Sequence, residues 1–427
     1  MEKNMKETLK KIIPSFLIDW YHFSLSLMGA ILYSFPSRRI KVIGVTGTNG
    51  KTTTVNLIAG ILEEAGYKVA SLSSIKFKIK EREWPNSSRM TMPGRFKIKK
   101  FLREAADSGC QYAVIEVASE GVKQYRHKFI DFKVAVFTNL TPEHIEAHKG
   151  FNNYRAAKGK FFESVKGIHV INLDDEQAEY FLKFPSAEKY VYSVKNSSSS
   201  EKWNIVKAEE VNSSFKGMDF KVKGVSFHLN LPGEFNVYNS LAAICAGLSQ
   251  GVDLEIAKKA LEKAQGIPGR MEEVISSPFR VFIDYAFTPN ALKKVYQTIR
   301  KIFNPSRLIC VLGSCGGSRD KWKRPVLGGI AGEFCDKIIV TNEDPFDEDP
   351  MEIIEQVAKG SAGKAEKILD RREAISSALR VAEEKDIVII TGKGCEPSIC
   401  LAKGKRVDWN EKEVVRQEME ILLDKKA

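Results

Sequence analysis

The 427-residue sequence has seven cysteines, an odd number, and no Cys-x-x-Cys pair among them. Cys110, Cys245, Cys310, Cys315, Cys335, Cys395 and Cys400 mostly sit in apolar strand or helix patterns. That argues against a disulfide framework or a zinc site and for buried free thiols in a reducing cytoplasm. No short repeat is present, and the only low-complexity stretch is the polar serine loop Asn196 to Ser200. Lysine and arginine exceed aspartate and glutamate by 66 to 54, yet they form no arginine-rich, aromatic-studded block. The net charge of +12 therefore points away from nucleic acid and toward an anionic small substrate, such as a nucleotide or a carboxylated sugar peptide. With 43% hydrophobic residues the chain is long enough for two or three cored domains.

The N-terminus also lacks what two common readings need. Ile12 to Phe35 is apolar over most of its length and follows Lys3, Lys6, Lys10 and Lys11, but it ends without a small-x-small cleavage site, against a signal peptide. Pro14, Asp19 and His22 interrupt it, against a membrane span. Phe16, Trp20, Phe23, Leu27 and Ile31 recur at helical spacing. This predicts a helix over residues 1–38 that packs on the following domain or lies on a membrane surface.

What is present begins at Val42-Ile43-Gly44-Val45-Thr46-Gly47-Thr48-Asn49-Gly50-Lys51-Thr52-Thr53-Thr54, an apolar strand running into a glycine-rich loop and a helix. Gly47 and Gly50 let backbone N–H groups approach phosphate oxygens, and the helix turns its positive end to the same anion. Lys51 adds a cation for the β- and γ-phosphates, and the hydroxyl of Thr52 or Thr53 suits a Mg²⁺ shell. Val55, Ile58, Ala59 and Leu62 carry the helix to Gly66.

Downstream, Lys41 to Thr46, Tyr112 to Val117, Val134 to Thr138 and His169 to Leu173 read as strands alternating with helices, as in a mostly parallel sheet covered on both faces. Trp203 to Leu231 reads as an antiparallel excursion, and Pro232 to Asn236 restarts a helix. Gly266 to Arg270 reads as a hinge, after which Arg280 to Asp284, Arg307 to Leu312, Lys337 to Thr341 and Asp386 to Thr391 form a second α/β unit. The expected architecture is α/β: a P-loop ATPase domain over 39–267 and a smaller Rossmann-like domain over 268–427.

The shortened loop Gly47-Thr48-Asn49-Gly50-Lys51-Thr52, with the segments that follow it from about Arg39 onward, resembles the Mur ligases, and among them the branch that forms muramoyl tripeptides. The resemblance implies ATP and two Mg²⁺ ions as cofactors. Glu116, after a buried strand, matches the family's magnesium-binding glutamate, and Ser119 precedes Glu120 where the family has histidine. Thr138-Asn139-Leu140-Thr141-Pro142-Glu143-His144-Ile145-Glu146-Ala147-His148 is similar to the family's Thr-Asn-Leu-x-x-Asp-His-Leu-Asp-x-His with both aspartates lengthened. His144 there matches a second-metal ligand. Lys158 matches a lysine that is carbamylated in relatives, a reaction that needs an unprotonated amine.

By the same resemblance, Asn236 and Asn239 match adenine-side asparagines, although their position alone reads as helix capping. Arg270 and Asp284 match nucleotide contacts, with Phe287 in place of a family histidine. Thr91-Met92-Pro93 is similar to the acceptor loop, and the basic neighbours Arg89 and Arg95 suit an acceptor's anionic groups, with solvated surface arginines as the alternative. Asp344, Gly392 and Glu396 match the amino-acid end, where Phe346 stands for the usual arginine and Cys395 for a histidine. Phe346 removes the bidentate carboxylate contact an arginine offers, so the amino acid stays open.

The implied activity is amide formation: ATP phosphorylates an acceptor carboxylate, and an amino acid's amine displaces the phosphate. The implied partners are a muramoyl-peptide-type acceptor and a free amino acid, with no nucleic acid. The expected protein is a cytoplasmic monomer, with peripheral membrane contact through its first helix left open. Two alternatives remain: the same chemistry on another acceptor, lipid-linked or folylpolyglutamate-like, and a degenerate nucleotide-binding regulator of cell-wall synthesis.

Overall fold

The computed structural model describes residues 14–88, 90–195 and 201–424. Arg89, the lysines at 3, 6, 10 and 11, and the serine loop 196–200 lie outside the described residues. The first element is the helix Ser15–Leu32. The central body is a nine-stranded sheet built from β1 (Lys41–Thr46), β2 (Val69–Leu72), β3 (Lys76–Ile79), β4 (Arg82–Pro85), β5 (Tyr112–Glu116), β6 (Phe132–Phe137), β7 (Ile168–Asn172), β8 (Glu188–Ser193) and β9 (Asn204–Lys207). Their order is β4-β3-β2-β5-β1-β6-β7-β8-β9, parallel except for the β2-β3-β4 hairpins.

β1 lies between β5 and β6, with Gly44 opposite Ile115 and Ala135. Loops leaving the C-terminal ends of these three strands therefore converge, as ligand loops do where strand order reverses. Alternation along β1 explains the two layers. Ile43 and Val45 join the core shared with Val55, Ile58 and Leu62 of the helix Lys51–Glu64 and with the helix Glu234–Leu248. Val42 faces the opposite core, with Leu102 and Phe161 from the helices Arg95–Asp107 and Phe151–Ser164.

β9 pairs in parallel with β8 and extends the main sheet. This corrects the antiparallel reading of Trp203 to Leu231. Only β10 (Glu209–Ser214), β11 (Gly217–Val222) and β12 (Val225–Leu229) form the separate antiparallel sheet. Polar residues in β9 obscure its place because an edge strand is covered on one side only.

The C-terminal body is a six-stranded sheet in the order β13 (Glu272–Ile275), β14 (Arg280–Asp284), β18 (Ile387–Thr391), β15 (Leu308–Leu312), β16 (Lys337–Thr341) and β17 (Ala365–Ile368). All pairs are parallel except β13 with β14. The edge strands β13 and β17 are short and partly exposed, which is why the hydrophobic pattern reveals only the four inner ones.

The first helix does pack on the central body, but not through the face the spacing suggests. Ser26, Gly29 and Ala30 face inward, while Phe16, Trp20, Phe23 and Ile31 are exposed. No helix among the described residues is long and apolar enough to cross a membrane. All seven cysteines are free thiols.

Candidate active site

The two bodies enclose a cleft of ≈ 2130 Å³ lined by the phosphate loop, the ends of β5 and β6, and the C-terminal body's inner edge. The loop's shape depends on Gly50, whose φ of +83° is left-handed and whose missing Cβ leaves room for the amide oxygen of Asn239. Asn49 is fixed from several sides. Its N–H donates to Asn139 Oδ1 at 3.0 Å, and its carbonyl accepts from Thr138 Oγ1 at 2.8 Å and Asn139 Nδ2 at 3.0 Å. Lys51 Nζ donates to the carbonyls of Gly47 at 3.1 Å and Thr48 at 2.8 Å. Burial lowers its pKa, with Glu116 opposing. The side-chain nitrogen of Asn49 and the hydroxyl of Thr141 are buried without partners among the described residues. Such orphaned groups facing a glycine-rich loop suit phosphate oxygens.

Glu116, fully buried at the end of β5, accepts from Thr52 Oγ1 at 2.8 Å, from the Ser74 N–H at 2.7 Å and from Ser74 Oγ at 2.9 Å. Ser74 Oγ also lies 3.1 Å from Thr91 Oγ1, so a polar relay runs from the acceptor loop to the phosphate loop. Thr52 and Glu116 are the hard oxygen donors magnesium takes. No three His, Cys, Asp or Glu side chains converge among the described residues. An ion at this pair would complete its shell with phosphate oxygens and water, the usual arrangement for magnesium.

His144 lies at the cleft in a left-handed backbone conformation, φ 57°, that costs a non-glycine residue about 1 kcal/mol or more and is paid for by surrounding structure. Burial, then the charges of Arg319 and Lys158, push its pKa down to about 2, so the ring is a neutral donor at ordinary pH. Lys158 is buried on the helix Phe151–Ser164, its Nζ 2.8 Å from the Gly47 carbonyl. Burial and the neighbouring Lys51 drive its pKa far down, favouring the neutral amine. Ser119 Oγ lies 3.1 Å from His148 Nε2, which is also 3.1 Å from Glu120. A histidine thus reaches Ser119 from the end of the Glu143–His148 motif, although none follows Ser119 in sequence.

Asn236 and Asn239 both line the cleft. Neither caps the helix Glu234–Leu248, whose N-cap is Gly233. Asn239 instead donates to Asn236 Oδ1 at 3.1 Å, while Asn236 donates to the Pro232 carbonyl at 2.8 Å. Across the cleft, the Arg270 guanidinium lies 4.6 Å from the Tyr285 ring centre. Asp284 accepts from the Met271 N–H at 2.7 Å, and burial raises its pKa to about 6 against the pull of Arg270.

The amino-acid-end residues divide. Glu396 lines the cleft and accepts from Tyr285 Oη at 2.8 Å and Lys393 Nζ at 2.6 Å. Asp344 and Gly392 do not line it. Both Asp344 oxygens accept from Lys393 Nζ at 3.0 Å, and Gly392 backs onto the Glu343 carboxylate. Their place is behind Glu396, supporting the lysine that orients it.

Sequence reasoning missed Ser74 and the loop after β15. Arg319 from that loop lines the cleft, its guanidinium 5.5 Å from the Phe287 ring centre. Asp320 accepts from the N–H groups of Ile145 at 3.1 Å and Glu146 at 3.0 Å, tying the two bodies together. Lys323 forms a 2.9 Å ion pair with Glu143. The available signal was Gly316-Gly317-Ser318-Arg319, a glycine-rich turn after an apolar strand, where α/β folds place ligand loops.

Residues 45–247 match the Mur ligase middle domain, and residues 269–394 match the Mur ligase glutamate ligase domain. The chain is 38% identical over 404 residues to UDP-N-acetylmuramoyl-L-alanyl-D-glutamate--2,6-diaminopimelate ligase of Syntrophomonas wolfei subsp. wolfei, an alignment spanning 92% of this chain and 81% of that protein. A solved structure of a ligase of the same name superposes with a TM-score of 0.60 at 30% identity, covering 90% of this chain and 78% of that one. Folylpolyglutamate synthase of Mycobacterium tuberculosis, complexed with ADP and AMPPCP, superposes with a TM-score of 0.70 at 18% identity, covering 88% and 94%, a likeness of fold alone. With a phosphate loop, a strand-end glutamate and a second α/β body closing on the same cleft, and with sequence likeness along nearly its whole length, this chain belongs to the Mur ligase family.

Proposed function

We propose that the protein joins a free amino acid to the terminal carboxylate of a muramoyl-peptide-type acceptor at the expense of ATP, in the tripeptide-forming step of peptidoglycan synthesis. The observation that supports this best is the convergence on one cleft of Lys51, Glu116, His144 and Lys158 from the central body with Arg270, Arg319 and Glu396 from the C-terminal body. A nucleotide-binding regulator has no need of the second set.

In the first step an acceptor carboxylate oxygen attacks the γ-phosphorus, the bond to the β-phosphate oxygen breaks, and ADP leaves. Lys51 and Arg270 neutralise the phosphate oxygens, and the backbone N–H groups of the loop hold them in place. Thr52 and Glu116 would hold one magnesium ion and His144 with a carbamylated Lys158 a second, and such ions would further neutralise the charge spread over the transferred group. The neutral amine of Lys158 is the form that adds CO₂: an N–C bond forms and a proton leaves. In the second step the amino acid's nitrogen attacks the acyl carbon, phosphate departs and the nitrogen loses its proton. Glu396 binds the incoming ammonium before that step, the ammonium loses a first proton to water to become the attacking amine, and closure of the two bodies then keeps water from the acyl phosphate.

Phosphate release from ATP and Mg²⁺, measured with a panel of amino acids with and without UDP-N-acetylmuramoyl-dipeptide, tests this reading. Release that needs both partners supports it and names the amino acid. Silence with this acceptor despite tight ATP binding overturns the acceptor assignment, and a Lys51→Ala protein working at the normal rate overturns the chemistry.

A further inference from the structure

The helix Ser15–Leu32 is amphipathic in the reverse sense. Its small and polar residues face the protein: Gly29 lies against the Phe96 ring, and Ser26 Oγ donates to the Lys128 carbonyl at 3.2 Å and accepts from the buried Lys99 at 3.4 Å. Its large residues face out. Seventeen large apolar side chains are exposed among the described residues, and eight of them belong to this one helix, including Phe16 at 67%, Trp20 at 68%, Tyr21 at 55%, Ile31 at 59% and Leu32 at 63%. Eight such residues on one helix of eighteen are a concentration of apolar exposure, unlike the scattered single residues that are normal on a monomer's surface. The polar stitches behind the helix, joined by edge-on contact of Phe23 with Phe129 at 5.1 Å, fix which face looks outward.

We propose that this face lies in the headgroup–acyl boundary of an anionic lipid bilayer. Three observations select that occupant. The exposed arc combines tryptophan, tyrosine and phenylalanine with aliphatic residues, the mixture that interfacial helices place at the membrane–water boundary. Positive charge outweighs the single exposed acid of the helix, Asp19: Lys3, Lys6, Lys10 and Lys11 precede it in sequence, Arg38 is exposed just beyond its C-terminal end, and Lys97 is exposed on the helix it packs against, while Arg39 and Lys100 are paired with Asp107 and Glu104. Each such cation near an anionic surface adds about 1 kcal/mol. Among the described residues the helix is also not long and apolar enough to cross the bilayer, so a position at its surface is the one proposed. A second copy of this chain fits less well, because a twofold contact through the same face would bring these cations together on molecules of net charge +12.

The full chain is mixed with vesicles containing about a quarter phosphatidylglycerol, or phosphatidylcholine alone, and floated through a density step. The expected result is co-flotation with the anionic vesicles, weakened by salt, and at least about tenfold less with neutral vesicles. The combined variant Phe16→Ser, Trp20→Ser, Ile31→Ser, changed only at exposed positions, keeps the thermal midpoint and phosphate-release rate but loses flotation. Brominated lipid quenches emission of the wild type and not of Trp20→Phe at the Trp20 component. Wild-type protein that stays at the bottom with anionic vesicles, a triple variant that floats equally well, or light scattering showing a dimer that the triple variant abolishes would each overturn the proposal.

Discussion

Replacing Glu143 by glutamine removes one charge from the ion pair with Lys323, whose side chains are each 2% exposed. The pair crosses from the central body to the C-terminal body, and Glu143 lines the cleft whereas Lys323 does not. Removing one partner of a buried pair ordinarily costs about 3–5 kcal/mol, because the other charge stays desolvated. Here the ammonium keeps a second neighbour, the Phe287 ring 4.9 Å away, which returns about 1–2 kcal/mol. The net loss spans about 1–4 kcal/mol, and the middle of that range is 2–3 kcal/mol. Because the pair lies between bodies, water reaches the orphaned lysine most cheaply when they separate, so the loss falls on the closed state.

Single-turnover phosphate release is the direct assay. A loss of 2–3 kcal/mol in closure corresponds to about 30- to 150-fold in rate. Glu143→Gln falls in that range, Lys323→Met loses at least as much because no cation is left over the Phe287 ring, and the double variant recovers at least about tenfold over the product of the two losses, since it leaves no buried lone charge. Small-angle scattering in the presence of ADP reports the same order through a larger radius of gyration in the singles. If Glu143 instead acts on the substrate itself, the double variant is no faster than Glu143→Gln alone. That result, or singles within twofold of wild type, would refute the latch.

Gly50→Ala places a side chain at a left-handed φ of +83° and against the Asn239 amide, so calorimetry with a non-hydrolysable ATP analogue reads at least about tenfold weaker binding with the fold retained; undiminished affinity contradicts the loop's role. His127 is buried with neither ring nitrogen partnered among the described residues, and burial followed by Lys128 and Lys99 pushes its pKa down to about 3. Below the unfolded value of about 6.5 only the unfolded chain takes up this proton, so stability is lost as pH falls. Between pH 7 and pH 5 denaturant titration shows wild type losing about 2 kcal/mol more than His127→Phe, and equal losses would show that His127 does not govern the acid limb.

The lining of the cleft was legible in the sequence wherever one strand and its following loop decide a residue's position. Lys51, Thr52 and Glu116 stand at or just after the ends of buried strands, where local rules locate them, whereas His144 and Lys158 are found only through the resemblance of their motifs. What local rules leave open is which side of an element meets the rest of the protein. Phe16, Trp20, Phe23 and Ile31 define a helical stripe correctly, but spacing alone is the same whether the stripe faces a core or a lipid surface. Asp344 and Glu396 stand in equally convincing motifs, yet Lys393 draws Asp344 behind the wall and leaves Glu396 in front of it.

The departures from the family pattern make physical sense once neighbours in space replace neighbours in sequence. The lengthened carboxylate of Glu143 reaches Lys323, and that of Glu146 accepts from the Lys321 N–H at 2.8 Å. Phe287, standing where a histidine is expected, puts an aromatic face beneath Lys323 and Arg319. A protonated histidine there would repel both cations; a phenyl ring holds them without a charge of its own. Glu143, Glu146 and Phe287 therefore meet at one boundary, between the central and C-terminal bodies. Changing Phe287 back to histidine while leaving Glu143 in place should weaken that boundary, so the substitutions are coupled rather than signs of decay.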